Sequence, residues 1–401
     1  GTKNLHSAHA TFPRFSAEDA NGLPFPKEAY YFDGTSISES ELAHDLRQIA
    51  DQMTADATLL DQDWDTYAPQ FDRLSAADYL AFHAGKINKP YIFKLFRDVV
   101  HTEFGGEPHE SSAIQLILVL PVIDGQSVEL LSYSDEVYSV IGGSAKITDA
   151  LGKALAGHIK LGMRLKEIKK HGSKFRLAFA NQPPVDADIV IVAIPFPVLN
   201  GVLLDVKLPK LLRRFINEAK LGANEKIIGS FTSRFWRHLR GFTSAAWGDL
   251  GFSEVWDATQ RQPSRPDGAL NFFLGGNQAR QLADIHNITA LGKQFVSRLN
   301  RLIPGASDAA TGQFIHTGWT KSPLTKGSYA NFKPGQLTRF GSLLWVESDI
   351  PDERQQVGAG NLIFAGEHLS DAFYGFMNGG AQTGRWATTL ILEKIAATTK
   401  K

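Results

Sequence analysis

Residues 361–395, NLIFAGEHLSDAFYGFMNGGAQTGRWATTLILEKI, constrain the fold more tightly than any other stretch. The apolar run Leu362-Ile363-Phe364-Ala365 fits a buried parallel strand. Gly366-Glu367 reads as a sharp turn, and a loop of small, polar and aromatic residues follows it. Asn378-Gly379-Gly380-Ala381 then opens an amphipathic helix with Ala381, Trp386, Ala387, Leu390 and Ile391 on one side. A glycine-rich helix start leaves backbone N–H groups free at the positive end of the helix dipole, where an electron-rich group is stabilised. Without its glutamate and glycines the same stretch would read as an ordinary closing strand and helix.

At 401 residues the chain can bury a large core and is expected to form more than one domain. Its 42 basic and 42 acidic residues balance, which gives no charge signature of a nucleic-acid binder. No apolar run is long enough to cross a bilayer, and no secretory signal is visible. A soluble protein is expected, with the cytoplasm favoured. There is no cysteine, which excludes disulfides and thiolate metal sites. The histidines lack metal-ligand spacing, so no metal site is expected, and His101, His109 and His286 read as structural or solvated. The absence of G-x-S-x-G removes the nucleophile elbow of a hydrolase.

Along the chain, residues 1–35 are rich in aromatic residues, Pro and Gly and read as irregular. Residues 36–133 read as a helical block. Ser38-Glu39-Ser40-Glu41 gives an N-cap signal, Leu74–Leu80 a second helix start, and further helices are expected over 90–103 and 112–121. Residues 134–200 hold a Gly142-Gly143 turn into a helix through Ile147, Leu151 and Leu155. A strand pair over 165–179 follows, then the apolar strand from Ile189 to Pro195. Residues 201–335 carry strands at Lys226–Thr232 and Ala269–Leu274, helical spacing over Asn287–Ile303, and a turn-rich loop from Trp319 to Gly335. Residues 336–401 close the chain. The alternation argues for an α/β fold.

Six stretches, in order, resemble the FAD-dependent amine oxidase family of monoamine, polyamine and L-amino acid oxidases. They are Ser134 to Gly143; Leu165 with Ile168; Asp188 to Pro195; Lys226 with Phe235-Trp236; Trp319, Pro323, Gly327-Ser328-Tyr329 and Pro334-Gly335; and 361–395. The resemblance implies a discontinuous Rossmann-like FAD-binding domain, from 134–200 and 336–401, and an α+β substrate domain, from 36–133 and 201–335. It implies that Gly366, Glu367, Met377, Asn378 and the Leu165 backbone contact FAD. Glu367 would accept from ribityl or ribose hydroxyls, and Met377 and Asn378 would offer N–H groups to the ring. Lys226 would stand near the flavin N5, Trp319 beside the ring, and Tyr329 and Phe376 as the aromatic pair around the substrate amine. Phe376 stands where many relatives carry tyrosine or tryptophan. Ser328 stands where some carry a flavin-linking cysteine, so FAD is expected to be noncovalent. From the residues alone, Glu367 also reads as a turn glutamate, Lys226 as a strand-end lysine and the aromatics as core.

One departure matters. The family opens with a strand, a G-x-G-x-x-G turn and a helix that hold the FAD diphosphate, and no such spacing occurs here. The expectation is a second polypeptide carrying that unit, either a separate small subunit or a processed fragment that stays bound. The alternative is that the unit lies outside the given sequence. A parallel sheet lacking its central strand exposes apolar edges, so the chain is expected to be insoluble alone. The expected reaction is oxidation of amines or L-amino acids with hydrogen peroxide as a product. An amino acid would need an arginine for its carboxylate, with Arg97, Arg234 and Arg261 as candidates. The rival readings are a flavin dehydrogenase or desaturase on the same fold and a cofactor-free scaffold subunit.

Overall fold

The computed structural model describes residues 25–131, 140–260, 262, 265–282, 285–344 and 357–399. The first described elements are β1 (Glu28–Phe32) and β2 (Thr35–Ile37), an antiparallel pair. Alternate side chains of β1 serve two cores. Tyr30 and Phe32 join the larger one, and Ala29 and Tyr31 the second. A strand buried on both faces shows no polar alternation, which is why residues 28–32 read as irregular in the sequence and are a strand in the structure.

Five helices follow: α1 (Glu39–Gln62), α2 (Trp64–Asp72), α3 (Ala76–Phe82), α4 (Pro90–Phe104) and α5 (Ala113–Ile117). Ser38 and Glu41 form a reciprocal capping box at α1, and Ser75 and Asp78 do the same at α3. The helix expected over 112–121 is only five residues long. It stops where Leu120 takes φ +50° ahead of Pro121, a backbone that cannot continue a helix.

A small hairpin, β3 (Val122–Asp124) and β4 (Ser127–Glu129), closes the block. Of the Ser134 to Gly143 motif, residues 134–139 lie outside the described residues. Next come α6 (Ala145–Ala154), the meander β5 (Leu165–His171), β6 (Lys174–Phe179) and β7 (Gln182–Ala187), then β8 (Val190–Val192), α7 (Phe196–Leu199), β9 (Leu203–Asp205) and α8 (Lys210–Glu218). The meander and β9 make a four-stranded sheet in the order β7-β6-β5-β9. No residue of α6 is buried, and its Ile147 and Leu151 face solvent.

The next segment contributes β10 (Lys220–Leu221), β11 (Asn224–Phe231), β12 (Ala245–Gly248), β13 (Glu254–Asp257), β14 (Gly268–Gly275), α9 (Gly276–Leu282), α10 (Ile288–Leu299), α11 (Ala306–Ala309), β15 (Ala310–His316) and β16 (Ala330–Asn331). A seven-stranded sheet runs β15-β11-β14-β13-β12-β1-β2, parallel only between β1 and β12. Helix α4 packs on β12 and β14, and α10 packs on β15 and β11.

The chain closes with α12 (Gln336–Phe340), β17 (Gly358–Ala359), β18 (Leu362–Phe364) and α13 (Met377–Thr399). As expected from its apolar run, β18 is fully buried and pairs in parallel with β8. Ile363 and Ala365 pack against Ala387 and Leu390 of α13. Ala381, expected on that face, is exposed, because α13 turns Gly379 and Thr383 inward instead.

Asp72 fastens the helical block to α12. Its buried carboxylate accepts from Ser112 Oγ at 2.6 Å, Thr338 N at 2.8 Å and Thr338 Oγ1 at 2.7 Å. Asp72→Ala strands those donors away from water and should cost about 3 kcal/mol. Urea unfolding should show a lower midpoint with an unchanged slope.

Candidate active site

The site begins where β18 ends. Ala365 N donates to Val192 O at 3.1 Å, the last bond of the parallel pair. Gly366 then takes φ +153°, and a Cβ there would lie 2.4 Å from His368 Cε1. Only glycine fits this turn. Thr383 of α13 receives the Gly366 N–H on its hydroxyl oxygen at 2.9 Å, fixing the turn to the helix. His368 is fully enclosed, edge-on to Phe196 at 4.3 Å, and burial lowers its pKa to about 4. It is neutral at physiological pH.

The turn aims Glu367 at two segments, the start of β16 and the loop before α13. Its Oε1 accepts from Ala330 N at 3.2 Å and its Oε2 from Gly375 N at 2.6 Å. Ala330 follows Tyr329, and Gly375 precedes Phe376. One carboxylate therefore brackets the two segments that carry the expected aromatic pair. Burial raises the Glu367 pKa, and the two N–H donors oppose that rise. Each oxygen has one of these backbone donors, so the carboxylate retains capacity to accept from hydroxyl groups.

Phe376 and Met377 are 54% and 66% exposed, and Asn378 is exposed beside them. Large apolar side chains thus stand open at the N-terminus of a helix of 23 residues. Tyr329 is anchored differently: its hydroxyl donates to the Thr102 carbonyl near the end of α4. Its own carbonyl accepts from Gly222 N at 2.7 Å. Ser328 Oγ lies 2.6 Å from Asn224 Oδ1.

Lys226 is on β11, directly opposite Phe273 of β14. Its ammonium nitrogen lies 4.9 Å from the ring centre of Trp256, 5.3 Å from that of Phe273 and 5.7 Å from that of Trp319. Three aromatic rings therefore surround the ammonium at cation–π distance. Trp319 was singled out in the sequence; Trp256 and Phe273 were not. Trp256 lies in the four-residue β13, Phe273 in the eight-residue β14, and only the pairing of β11, β14 and β13 brings both to the lysine. Neighbouring Glu225, 2% exposed, accepts from Thr317 Oγ1 at 2.6 Å, Thr320 N at 2.8 Å and Thr320 Oγ1 at 2.6 Å.

Leu165 stands apart from this group, at the head of β5 in the four-stranded sheet, partly buried against the larger core. Of the arginine candidates, Arg97 binds Asp98 Oδ1 at 2.9 Å, and Arg234 donates to the carbonyls of Asp267 and Gln262 at 3.2 and 2.5 Å. Arg261 lies outside the described residues. Among the described residues no cluster of His, Asp and Glu has the makings of a metal site, and none of their helices is long and apolar enough to cross a membrane.

The sequence profile of the flavin-containing amine oxidoreductases matches residues 2–392. The chain is 25% identical over 302 residues to a flavin-containing amine oxidase of Oncorhynchus mykiss, covering 74% of this chain and 55% of that one. It is 23% identical over 351 residues to flavin-containing amine oxidase A of Sus scrofa, covering 85% and 62%. It therefore spans a little over half the length of these curated relatives. Its structure superposes on putrescine oxidase bound to putrescine with a TM-score of 0.73 at 19% identity, covering 92% of this chain and 81% of that one. For cyclohexylamine oxidase from Brevibacterium oxydans IH-35A the TM-score is 0.72 at 21% identity, with 93% and 82% covered. The chain belongs to the flavin-containing amine oxidoreductase family, and its mixed α/β architecture is the fold of those oxidases.

Behind the site, α4 carries a buried polar chain. His101 joins Ser253 Oγ at 2.9 Å and Glu107 Oε1 at 3.1 Å, while His109 and His286 are exposed. Fully buried Asp98 sits one turn earlier. Burial raises its pKa to about 8, against the opposing charge and hydrogen bond of Arg97. The unfolded carboxyl titrates near ~4. A raised folded pKa contributes stability that is complete below the unfolded value and lost as pH rises through about 8. Thermal unfolding from pH 5 to 9 should show this decline, and Asp98→Asn should flatten it.

Proposed function

We propose that this chain carries the flavin ring site and the substrate site of an FAD-dependent amine oxidase. The observation that carries the reading is the Glu367 bracket, which ties the Tyr329 and Phe376 segments to the start of α13. The residues suit a noncovalent FAD. Glu367 keeps acceptor capacity for ribityl or ribose hydroxyls, and Met377 and Asn378 present N–H groups at a helix start. The Leu165 backbone would contact the adenine end, and the exposed Phe376 and Met377 would be covered by the ring. In this reading 134–200 and 336–401 form the FAD-binding half, and 36–133 and 201–335 the substrate half.

Bound FAD would supply the two-electron acceptor for oxidising the amine to an imine, with oxygen as the final acceptor and hydrogen peroxide as its product. This chain's residues do the rest. Tyr329 and Phe376 wall the amine and disfavour its charged form, which cannot give up a hydride. Lys226, set among three aromatic rings, stabilises negative charge that develops during oxygen reduction. Of the arginine candidates for a substrate carboxylate, Arg97 and Arg234 are engaged by protein groups.

The diphosphate needs a G-x-G-x-x-G unit, and residues 1–401 contain none. A second polypeptide is one source for it; nothing in the comparisons supports one, and a unit continuous with this chain is the other source. Intact-mass analysis of the native holoprotein separates the two, because a separate subunit appears as a second mass. The same preparation should be yellow and should release peroxide with a panel of primary amines. A colourless protein, or no peroxide under air with any amine or amino acid, would contradict the proposal. Lys226→Met should slow reoxidation by oxygen at least about tenfold while changing reduction by substrate less than about threefold, as stopped-flow absorbance would show.

A further inference from the structure

The segment from Thr317 to Lys326 is exposed or half-exposed at every position and contains no strand or helix. It has no apolar anchor of its own, yet it supplies Trp319, one of the three rings around Lys226. Its far end is tied by Lys326 Nζ to the Pro197 carbonyl at 3.1 Å, and its start, which bears Trp319, is held by Glu225. Both carboxylate oxygens of this buried side chain are spent on the segment: Oε2 accepts from the Thr317 hydroxyl, and Oε1 from the Thr320 N–H and hydroxyl. Thr317 Oγ1 in turn accepts from the backbone N–H of Lys226 at 2.8 Å, and Thr317 N donates to the Lys226 carbonyl at 3.0 Å. The backbone of the lysine and the loop bearing its ring partner are therefore fixed by one hydrogen-bonded unit.

We propose that Glu225 is a positioning residue for the oxygen-reducing half of the reaction, keeping Trp319 against the Lys226 ammonium. The proposal rests on the role given above to Lys226. Adjacent residues of a strand project to opposite faces, so the Glu225 carboxylate is directed to the loop rather than to the neighbouring ammonium. Its charge is met by three hydrogen-bond donors, which is what a buried carboxylate requires.

Two readouts test this in the native holoprotein. In Glu225→Ala, amide hydrogen exchange at Thr320 should accelerate at least tenfold, with exchange in β14 unchanged. Reoxidation by oxygen should slow at least tenfold relative to reduction by substrate. Glu225→Gln keeps an acceptor for Thr320 and a group beside Thr317, and should restore both readouts to within about threefold. Should Glu225→Ala fail to fold, Thr317→Val, which removes only the bridging hydroxyl, must move both readouts in the same direction. An unchanged Thr320 amide would overturn the proposal, as would a freed amide with reduction and reoxidation slowed equally. If Lys226→Met leaves reoxidation untouched, the role of Lys226 fails, and the exchange result still decides whether Glu225 holds the loop.

Discussion

The site depends on one carboxylate accepting two backbone N–H groups. Glu367 follows a strand of only three residues, and a partly enclosed carboxylate there is costly unless donors meet it. Ala330, the first residue of β16, and Gly375 supply them from 37 and 8 residues away along the chain. Once both bonds form, the positions of Tyr329, Phe376 and the first turn of α13 follow from chain connectivity. Gly366 is the precondition. The His368 ring occupies the space a Cβ would need, so the turn that aims Glu367 exists only with glycine.

The helical block and the seven-stranded sheet meet at the same place through close backbone contact. A Cβ on Gly222 would lie 2.2 Å from the Phe104 carbonyl oxygen, and Ala223 N donates to Gly105 O at 2.8 Å. This approach places the carbonyl of Thr102 within reach of the Tyr329 hydroxyl and that of His101 2.7 Å from Asn224 Nδ2. A helix from the first third of the chain thereby positions an aromatic residue near its end. The parallel sheet is less complete. Ile191 of β8 is 42% exposed beside the well-covered Ile363, and α6 buries nothing. Among the described residues both surfaces present apolar side chains.

What was legible in the sequence was local. The capping boxes at Ser38 and Ser75 fixed helix starts, and the run Leu362–Ala365 with Gly366-Glu367 marked the strand and turn that organise the site. What was hidden depended on pairing between distant segments. β1 lacks polar alternation because it is buried on both faces, and β12 and β13 are four residues each, too short for periodicity to register. Trp256 and Phe273 reach Lys226 through strand register, and Glu225 acts on a loop some 90 residues further on, at Thr317 and Thr320. No motif distinguishes such residues from ordinary core or turn positions. The resemblance of six ordered stretches supplied the family, and the structure supplied the reason those stretches converge.

The central claim is that the Glu367 carboxylate gathers two segments into a surface that retains flavin. The most direct measurement is flavin content after desalting of the native holoprotein and its Glu367→Ala variant, read together with amide exchange at Ala330 and Gly375. The account expects the unaltered protein to keep its flavin with both amides protected, and the variant to lose flavin as both amides are freed. A variant that retains flavin fully, with the two amides still protected, would contradict it.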